Sequence, residues 1–409
     1  MNSFVMDLIC DIHRGESVRK EYGQEYIDKC NRTLSQYGKL IPSMKMRLQD
    51  EFNTIDTYNL SLSFDSLKRM SDVIQNTKIP FSTRGTAGNS LVMYLLGLSH
   101  YNPVEYNIPA VFFFERFRKS RVVDLNVAKN DQIRLVKGLM DKIPITEGSA
   151  LNEDPCMTEI VFRSGSLEHC MVKVKYRKNR GSLDDYWRVI DLYDEDSNRN
   201  KVLIIRLYTH KDIETISALE NMTEVKAPAN PERYRCLFHY FDKSHSAFNV
   251  NGLGVYDSEF LRNYMLDALI PRSVLEIAKI LGLSMSVGSY VENQQSYLKE
   301  GTLSLSDAIA CYEDIYNYLI HQLNMSKEDA FRIVKKCTKE TRNDPNFFSR
   351  ANPPINIPDI YASVVTKIKY LLPAGQLFDY AWQILCLAYY KRFWPKEFYI
   401  VTEKMSMYK

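Results

Sequence analysis

The stretch Ser82-Thr-Arg-Gly-Thr-Ala-Gly-Asn-Ser90 runs into the apolar segment Leu91–Leu96, and Val122-Val-Asp-Leu-Asn-Val127 follows further along the chain. A loop rich in small residues that opens a helix presents backbone amides that suit phosphate oxygens. A turn that only caps a buried helix is the alternative for this loop. The second stretch is typical of a short buried strand, and its one acidic residue is Asp124. The pattern predicts an α+β fold in which loop and strand lie close together.

The composition is that of an ordinary globular protein. The 409 residues are enough for two or three domains, and 45% of them are hydrophobic and 25% charged. Lys and Arg (53) exceed Asp and Glu (50) by only three, so a nucleic-acid site has to come from local basic patches. The eight cysteines show neither CxxC pairs nor zinc spacing, and no apolar run approaches the ~18–20 residues of a membrane span. We therefore expect a cytoplasmic protein without a membrane partner.

Hydrophobic periodicity indicates a largely helical chain with one β-rich region. Apolar residues at three- and four-residue spacing predict helices at 17–38, 44–58, 63–77 and 131–140, and six more between residues 258 and 393. Strands are predicted at 158–162, 170–176, 187–193 and 202–208. The polar stretch 194–200 predicts a hairpin between the last two strands.

A basic segment lies in this β-rich region around Tyr176. Its cationic residues are Lys173, Lys175, Arg177, Lys178 and Arg180. Alternating cations and an aromatic ring suit a nucleic-acid backbone. A solvated strand edge, protected from aggregation by its lysines, is an equally good interpretation.

A series of short motifs follows the opening loop in a fixed order. Before the strand come His100-Tyr-Asn-Pro103 and Phe114-Glu-Arg-Phe117; far downstream come Glu259-Phe-Leu-Arg262, Leu281-Gly-Leu-Ser284, Lys367-Ile-Lys-Tyr370 and Glu397-Phe-Tyr399. In order and spacing this series resembles the bacterial DNA polymerase III alpha subunit, a C-family DNA polymerase, and its second half resembles the PolC type. The resemblance covers about residues 45–127 and 233–400.

This resemblance implies a nucleotidyltransferase-like (Pol β-like) palm and a helical fingers region. Three palm aspartates of the family hold two magnesium ions for attack by the primer 3′ hydroxyl, and they fall here on Asp124, Asn126 and Asn251. An amide oxygen is a poorer magnesium ligand than a carboxylate, so Asp124 is the one remaining metal candidate. Mg²⁺ is expected as a cofactor if the protein is active, and otherwise none.

The resemblance also implies binding residues. The phosphate-loop residues Arg84, Gly85, Thr86, Gly88 and Ser90 become candidates for nucleotide binding. Lys367 and Lys369 join the basic segment as candidates for nucleic-acid contact. Two further departures weaken the family pattern: Met285 replaces a histidine, and Ala374-Gly-Gln376 replaces a Lys-x-His.

Five regions are predicted along the chain: an N-terminal helical segment at 1–60, a first palm part with the phosphate loop at 61–130, a β-rich insert in the thumb position at 131–232, a second palm part at 233–257, and a helical fingers-like region at 258–409.

Three functional hypotheses follow. The first is a catalytically inactive polymerase-like protein that binds primer-template DNA, a deoxynucleotide or a replication protein. The second is an active DNA-directed DNA polymerase whose missing carboxylates are supplied by Asp191, Asp194 or Asp242. The third is an interaction protein of a mobile element that has no contact with nucleic acid.

Overall fold

The computed structural model describes residues 40–140, 155–163, 166–176, 187–188, 201–340, 347–348 and 355–407. The chain forms two compact units. The first unit comprises residues 1–105 and 110–217, and the second comprises 106–109 and 218–409. The described part is α+β and mostly helical, as the sequence predicted. The helix predicted at 17–38 lies outside the described residues, and the five-region division stays a prediction.

A six-stranded sheet lies in the first unit. Its strands are β1 (Phe81–Arg84), β2 (Val122–Val127), β3 (Pro155–Arg163), β4 (Ser166–Tyr176), β5 (Trp187–Arg188) and β6 (Lys201–Thr209). Their order across the sheet is β1-β2-β6-β3-β4-β5. Strands β2 and β6 run parallel, and every other pair in this sheet is antiparallel.

This sheet changes the sequence-based description of the β-rich region. Strands β3, β4 and β6 belong to the same sheet as β2, so the sheet does not end at residue 130. The predicted hairpin is wrong for the described residues, because β6 has β2 on one side and β3 on the other, while β5 pairs with β4. The apolar run of β6 explains its central position: Leu203, Ile205 and Leu207 are fully buried.

Helices cover the sheet of the first unit. They are α1 (Pro42–Thr57), α2 (Ser61–Thr77), α3 (Leu91–Leu95), α4 (Val111–Ser120) and α5 (Lys129–Met140). Helix α1 begins at Pro42. An N–H at this first position would have no acceptor within the helix, so proline, which lacks one, is well tolerated there. In the core, Phe64 of α2 packs against the α4 rings Phe113, Phe114 and Phe117, with ring centroids 5.6–6.5 Å away. This aromatic core fixes α4 beside the start of β2.

Helix α6 (Lys211–Thr223) begins in the first unit and ends in the second, where α7 to α14 follow it. They are α7 (Glu259–Tyr264), α8 (Val274–Met285), α9 (Gln295–Lys299), α10 (Tyr312–His321), α11 (Lys327–Glu340), α12 (Asp359–Lys367), α13 (Ala374–Phe393) and α14 (Pro395–Met407). Helix α13 is buried along nearly its whole length and packs against α8 at Gly282. The Ser273 hydroxyl caps α8 by accepting a hydrogen bond from the Glu276 amide at 3.2 Å. Among the described helices, none is long and apolar enough to cross a membrane.

Candidate functional site

A row of alternating charges crosses the sheet at Asp124. The strand register aligns Arg84 of β1 with Asp124 of β2, and Asp124 with Arg206 of β6. Directly opposed residues of neighbouring strands interact, and opposite charges there are favourable. Asp124 therefore has a cation opposite it on each neighbouring strand.

Asp124 forms its closest ion pair with a residue from a helix. Arg116 of α4 donates from Nη2 to the Asp124 Oδ2 at 3.2 Å, and Arg206 Nη1 lies 4.0 Å from Oδ1. The Asp124 residue is only 8% exposed. Burial raises the pKa of its carboxyl group above the ordinary value, and the charges of Arg116, Arg206 and Arg84 oppose that rise. The carboxylate is thus balanced by guanidinium groups.

The glycine loop and α4 enclose a small cleft beside this carboxylate. Arg84, Thr86, Arg116 and Asp124 contribute the polar lining of this cleft. Gly85 has a φ of +76°, and a Cβ there would lie 2.8 Å from Arg116 Nη1, so glycine lets the guanidinium approach the loop. The Arg84 guanidinium lies over the Tyr208 ring, 4.7 Å from its centroid.

Asn126 lies two residues after Asp124 on β2 and is fully buried. Its Nδ2 donates to the Ser82 hydroxyl at 3.1 Å. Its Oδ1 has no hydrogen-bond partner among the described residues. The amide therefore joins β2 to β1 through one side-chain hydrogen bond.

The start of α3 is occupied by a carboxylate from α1. Glu51 accepts hydrogen bonds from the Ser90 hydroxyl at 2.6 Å, the Leu91 amide at 2.8 Å and the Val92 amide at 3.0 Å. Arg47 donates to Glu51 at 2.7 Å and so balances its charge. A carboxylate at a helix N-terminus satisfies amides that have no intrahelical acceptor. These donors, predicted from the sequence to suit phosphate, are already used within the chain.

Asn251 lies in the second unit, in a turn. The Asn251 amide donates to Asn249 Oδ1 at 3.1 Å, and Gly252 follows with a φ of +76°, which ends any extended conformation. The Asn251 Oδ1 accepts a hydrogen bond from Arg262 Nη2 at 2.7 Å. Arg262 also forms an ion pair with Asp257.

A buried lysine holds the same turn. Lys391 of α13 is 3% exposed and donates to the backbone oxygens of Asn249 (2.9 Å) and Asn251 (2.6 Å), and to Asn249 Oδ1 (2.9 Å). Burial, together with the charge of Arg262, lowers the pKa of Lys391 to about 8. Asn251 is therefore fixed between an arginine and a lysine.

Comparison with known proteins shows what this chain is similar to. The family model described as the bacterial DNA polymerase III alpha NTPase domain matches residues 18–142, which include the glycine loop and Asp124. The PolC-type DNA polymerase III of Clostridium perfringens is 27% identical over 220 residues. The chain is similar to PolC-type DNA polymerase III over about half of its length.

Other PolC enzymes give the same result. Those of Thermotoga petrophila and Ureaplasma parvum are 29% identical over 148 residues and 32% identical over 144 residues. The matches cover 51%, 36% and 35% of this chain, and 15%, 11% and 10% of the three PolC proteins in the order named. The resemblance to PolC predicted from the sequence is confirmed.

The residues around Asp124 do not fit the paired magnesium ions that the PolC resemblance implies. Asp124 is the only carboxylate of the three carried-over positions, and it already forms an ion pair with Arg116. Magnesium needs several oxygen ligands, and a metal pair relies on carboxylates to offset its charge. Among the described residues, no three His, Cys, Asp or Glu side chains are grouped to hold a metal. We derive no step through magnesium.

The other predicted residues are dispersed. Of the loop residues, Arg84 and Thr86 line the cleft and Gly85 lies against Arg116, whereas Gly88 and Ser90 are not part of the lining. Among these five, only Arg84 is exposed. Lys173 and Lys175 lie on β4, opposite Glu159 and Met157 of β3. The exposed Lys367 donates to the Glu292 backbone oxygen at 3.1 Å, and Lys369 is exposed. Arg177 and Lys178 lie outside the described residues.

The proposed substitute carboxylates give no alternative metal site in the described part of the chain. Asp191 and Asp194 lie outside it. Asp242, in the second unit, accepts hydrogen bonds from the Ser244 amide at 2.9 Å and the Ser244 hydroxyl at 2.6 Å. These bonds hold the pKa of its carboxyl below the ordinary value.

Sequence reasoning missed four residues that shape the site: Glu51, Arg47, Arg116 and Arg206. Arg206 had a detectable signal, because it is a single cation within the apolar strand Val202–Leu207. A charge in a central strand requires a partner on the neighbouring strand. Glu51 had no such signal, because it lies in an amphipathic helix among other charged residues.

Proposed function

We propose that this chain is a catalytically inactive relative of PolC. In this proposal a nucleotidyltransferase-like palm and helical fingers are retained as a scaffold that binds the phosphates of DNA or of a deoxynucleotide. The observation that carries the proposal is the ion pair between Arg116 and Asp124, at 3.2 Å. A guanidinium group stands against the one carboxylate that remains of the three.

The proposed loss of catalysis follows from charge. Two-metal phosphoryl transfer uses the metals to activate the attacking oxygen and to stabilise the leaving oxygen. With amides at 126 and 251, only one carboxylate remains to offset up to four positive charges. Arg116 and Arg206 further reduce the attraction of Asp124 for a cation. A magnesium ion at this position would have to displace an arginine.

The proposed phosphate binding also follows from charge. Arg84 is exposed and Arg116 is 49% exposed in its side chain, so both can reach a ligand in the cleft. Guanidinium groups recognise phosphate through paired, charge-assisted hydrogen bonds. Their positive charge supplies attraction for phosphate that does not depend on a divalent metal. Binding is therefore expected to persist in EDTA.

Primer extension tests the catalytic half of this proposal. The full chain, incubated with a primer-template, all four deoxynucleotides and Mg²⁺ or Mn²⁺, is expected to add no nucleotide. Robust incorporation that is abolished by Asp124→Ala would overturn the proposal. The double variant Asn126→Asp with Asn251→Asp supplies the missing carboxylates. If this variant gains Mg²⁺ affinity, measured by calorimetry, the three positions 124, 126 and 251 meet at one metal site, as the proposed palm requires.

A binding assay in EDTA tests the other half. A fluorescent deoxynucleoside triphosphate is titrated with wild-type protein, with Arg84→Ala and with the control Arg69→Ala, which removes a half-exposed arginine of α2. We expect Arg84→Ala to weaken binding at least about tenfold and Arg69→Ala to leave it unchanged. Binding that requires Mg²⁺, or no binding, would contradict the phosphate site. If no nucleotide binds, binding of a replication protein is the role that is left in this proposal.

A further inference from the structure

A surface of the second unit combines exposed aromatic rings with arginines. We define the arginine–aromatic surface as Arg233, Tyr234, Arg235, Tyr389, Arg392 and Phe393. None of the six is among the site residues predicted from the sequence. None of them belongs to the candidate site.

The rings form one cluster that is open to solvent. The centroid of Tyr234 lies 5.1 Å from that of Tyr389 and 5.7 Å from that of Phe393, and the last two rings are 5.0 Å apart. Phe393 is 45% exposed and Tyr234 is 39% exposed. Aromatic residues with this much exposure at the edge of a cluster are accessible to a ligand. Single exposed apolar residues are common, whereas a clustered set indicates a binding surface.

The rings rest on a firmly held support. Tyr389 and Phe393 lie in the last turns of α13, whose opposite side is buried. The segment that leads to Tyr234 is tied to α13 by two hydrogen bonds: Trp382 Nε1 donates to the Pro228 oxygen at 3.2 Å, and the Tyr390 hydroxyl donates to the Val225 oxygen at 2.7 Å. The surface therefore needs little reordering to bind a ligand.

Three arginines adjoin these rings in sequence. Arg233 and Arg235 flank Tyr234, and Arg392 precedes Phe393; all three are exposed. Within the part of the chain that the structure describes, none of the three takes part in a salt bridge or a side-chain hydrogen bond. Consecutive Cα atoms are about 3.8 Å apart, so the backbone of each arginine adjoins that of an exposed aromatic residue.

We infer that the arginine–aromatic surface binds a single-stranded polynucleotide. Such ligands carry a phosphate for each base, and their unpaired bases stack on aromatic rings. Tyr234 and Phe393 are inclined at 65°, so two bases on them cannot lie parallel. A flexible single strand accommodates this angle, whereas the stacked bases of a duplex do not. The exposed arginines next to these rings in the sequence supply the positive charge that the phosphates of such a strand require.

An acidic protein segment is the main competing occupant, because carboxylates also pair with arginine. The open rings favour the polynucleotide, since a base covers a ring face more fully than an aliphatic side chain does. The experiment separates the two. It also separates DNA from RNA, which share the phosphate and base chemistry used here.

Fluorescence anisotropy of labelled oligothymidylate of about 12 nucleotides measures the binding. The full chain is compared with the double variants Arg233→Ala/Arg235→Ala and Tyr234→Ala/Phe393→Ala. The control Arg332→Ala/Lys335→Ala removes two exposed cations from α11 of the same unit, beside the ring of Phe331. Oligouridylate of equal length and a DNA duplex are the comparison ligands.

We expect the arginine variant to raise the Kd at least about tenfold and to reduce the salt slope by about 1.4, which is the loss of two phosphate contacts. The ring variant is expected to raise the Kd by about tenfold or more with an unchanged salt slope. The control stays within about twofold of wild type. Equal affinity for the duplex, or ring and arginine variants that behave like the control, would overturn the inference. If the surface instead binds an acidic protein segment, the ring and arginine variants should bind oligothymidylate as the control does.

Photocrosslinking gives a second readout that does not depend on the stability of the variants. Irradiation of wild-type protein with oligothymidylate is expected to attach thymine to the peptides that contain Tyr234 or Phe393, identified by mass spectrometry. Crosslinks only to peptides of the first unit would contradict the inference. The proposed cleft at Arg84 shares no residue with this surface, so either proposal can fail without the other.

Discussion

The buried carboxylate of Glu51 accepts a hydrogen bond from the buried hydroxyl of Ser90 at 2.6 Å. Two residues 39 positions apart in the sequence are thereby joined at the start of α3. The same carboxylate holds the first two amides of that helix. The glycine loop ends at this junction, so its shape depends on a residue outside the loop.

Replacement of Glu51 should therefore destabilise the first unit. Glu51→Ala leaves two amides, one hydroxyl and Arg47 without their acceptor, and we expect the free energy of unfolding to fall by about 2–4 kcal/mol. Glu51→Gln retains one acceptor oxygen and should lose less. Urea denaturation measures both. Asp65→Asn, which breaks an exposed pair with Arg69, is the control and should cost about 0.3–0.5 kcal/mol.

Asp124 should make the stability of the first unit depend on pH in an unusual direction. Burial raises the pKa of its carboxyl above 3.8, so the folded protein retains this proton to a higher pH than the unfolded chain does. Stability relative to Asp124→Asn is then expected to fall as the pH rises from about 4 through the raised pKa. Urea denaturation of both proteins from pH 4 to pH 7 measures the difference. A difference that grows with pH would contradict the raised pKa.

Lys391 should act as the central support of the Asn249–Asn251 turn. Lys391→Met removes the donor of three hydrogen bonds and is expected to lower the free energy of unfolding by about 1–3 kcal/mol at pH 7. The folded pKa, at about 8, lies below the ordinary 10.5. Wild type should therefore gain stability relative to the variant as the pH rises from 8 to 10.5. Lys404→Met, at an exposed position of α14, is the control and should show no such trend.

Gly282 should tolerate no side chain. A Cβ there would lie 2.5 Å from the Ala310 backbone oxygen and 2.9 Å from Leu377 Cδ1, where α8 meets α13. We expect Gly282→Ala to lower the free energy of unfolding by about 3 kcal/mol, although alanine favours helix formation. Gly301→Ala is the matched control: its φ of +73° is strained for alanine, but no atom lies within 4 Å of the new Cβ. It should cost about 1 kcal/mol. Thermal denaturation distinguishes the two losses.

Local sequence patterns predicted much of this fold. The helices α1, α2, α11 and α13 were expected from apolar spacing, because each has one face, or its whole length, in a core. The strands β2, β3, β4 and β6 were recognisable from their apolar and β-branched residues. Pairing was not recognisable, because the position of β6 between β2 and β3 depends on long-range contacts that no local pattern records.

The position of Asp124 beside the glycine loop was predictable from the sequence, but the partners of its carboxylate were not. Amides at 126 and 251, where the resemblance to PolC implies carboxylates, were visible in the sequence. The arginines that stand where magnesium ions were expected could not be recognised from the sequence. Arg116 comes from a helix, and Arg206 comes from a strand 82 residues after Asp124. The parallel pairing of β2 and β6 brings Arg206 to Asp124, and the packing of α4 beside β2 brings Arg116 there.

That parallel pairing also has a consequence for how the protein is synthesised. Strand β2 leaves the ribosome more than seventy residues before β6 does, as the positions 127 and 201 show. At about 5–20 residues per second, β2 waits several seconds with one edge exposed and with Asp124 lacking Arg206. Exposed apolar edges in nascent chains are prone to wrong pairing. The polar residues Asp124 and Asn126 on this edge would then protect the growing chain from aggregation, a role that does not require catalysis.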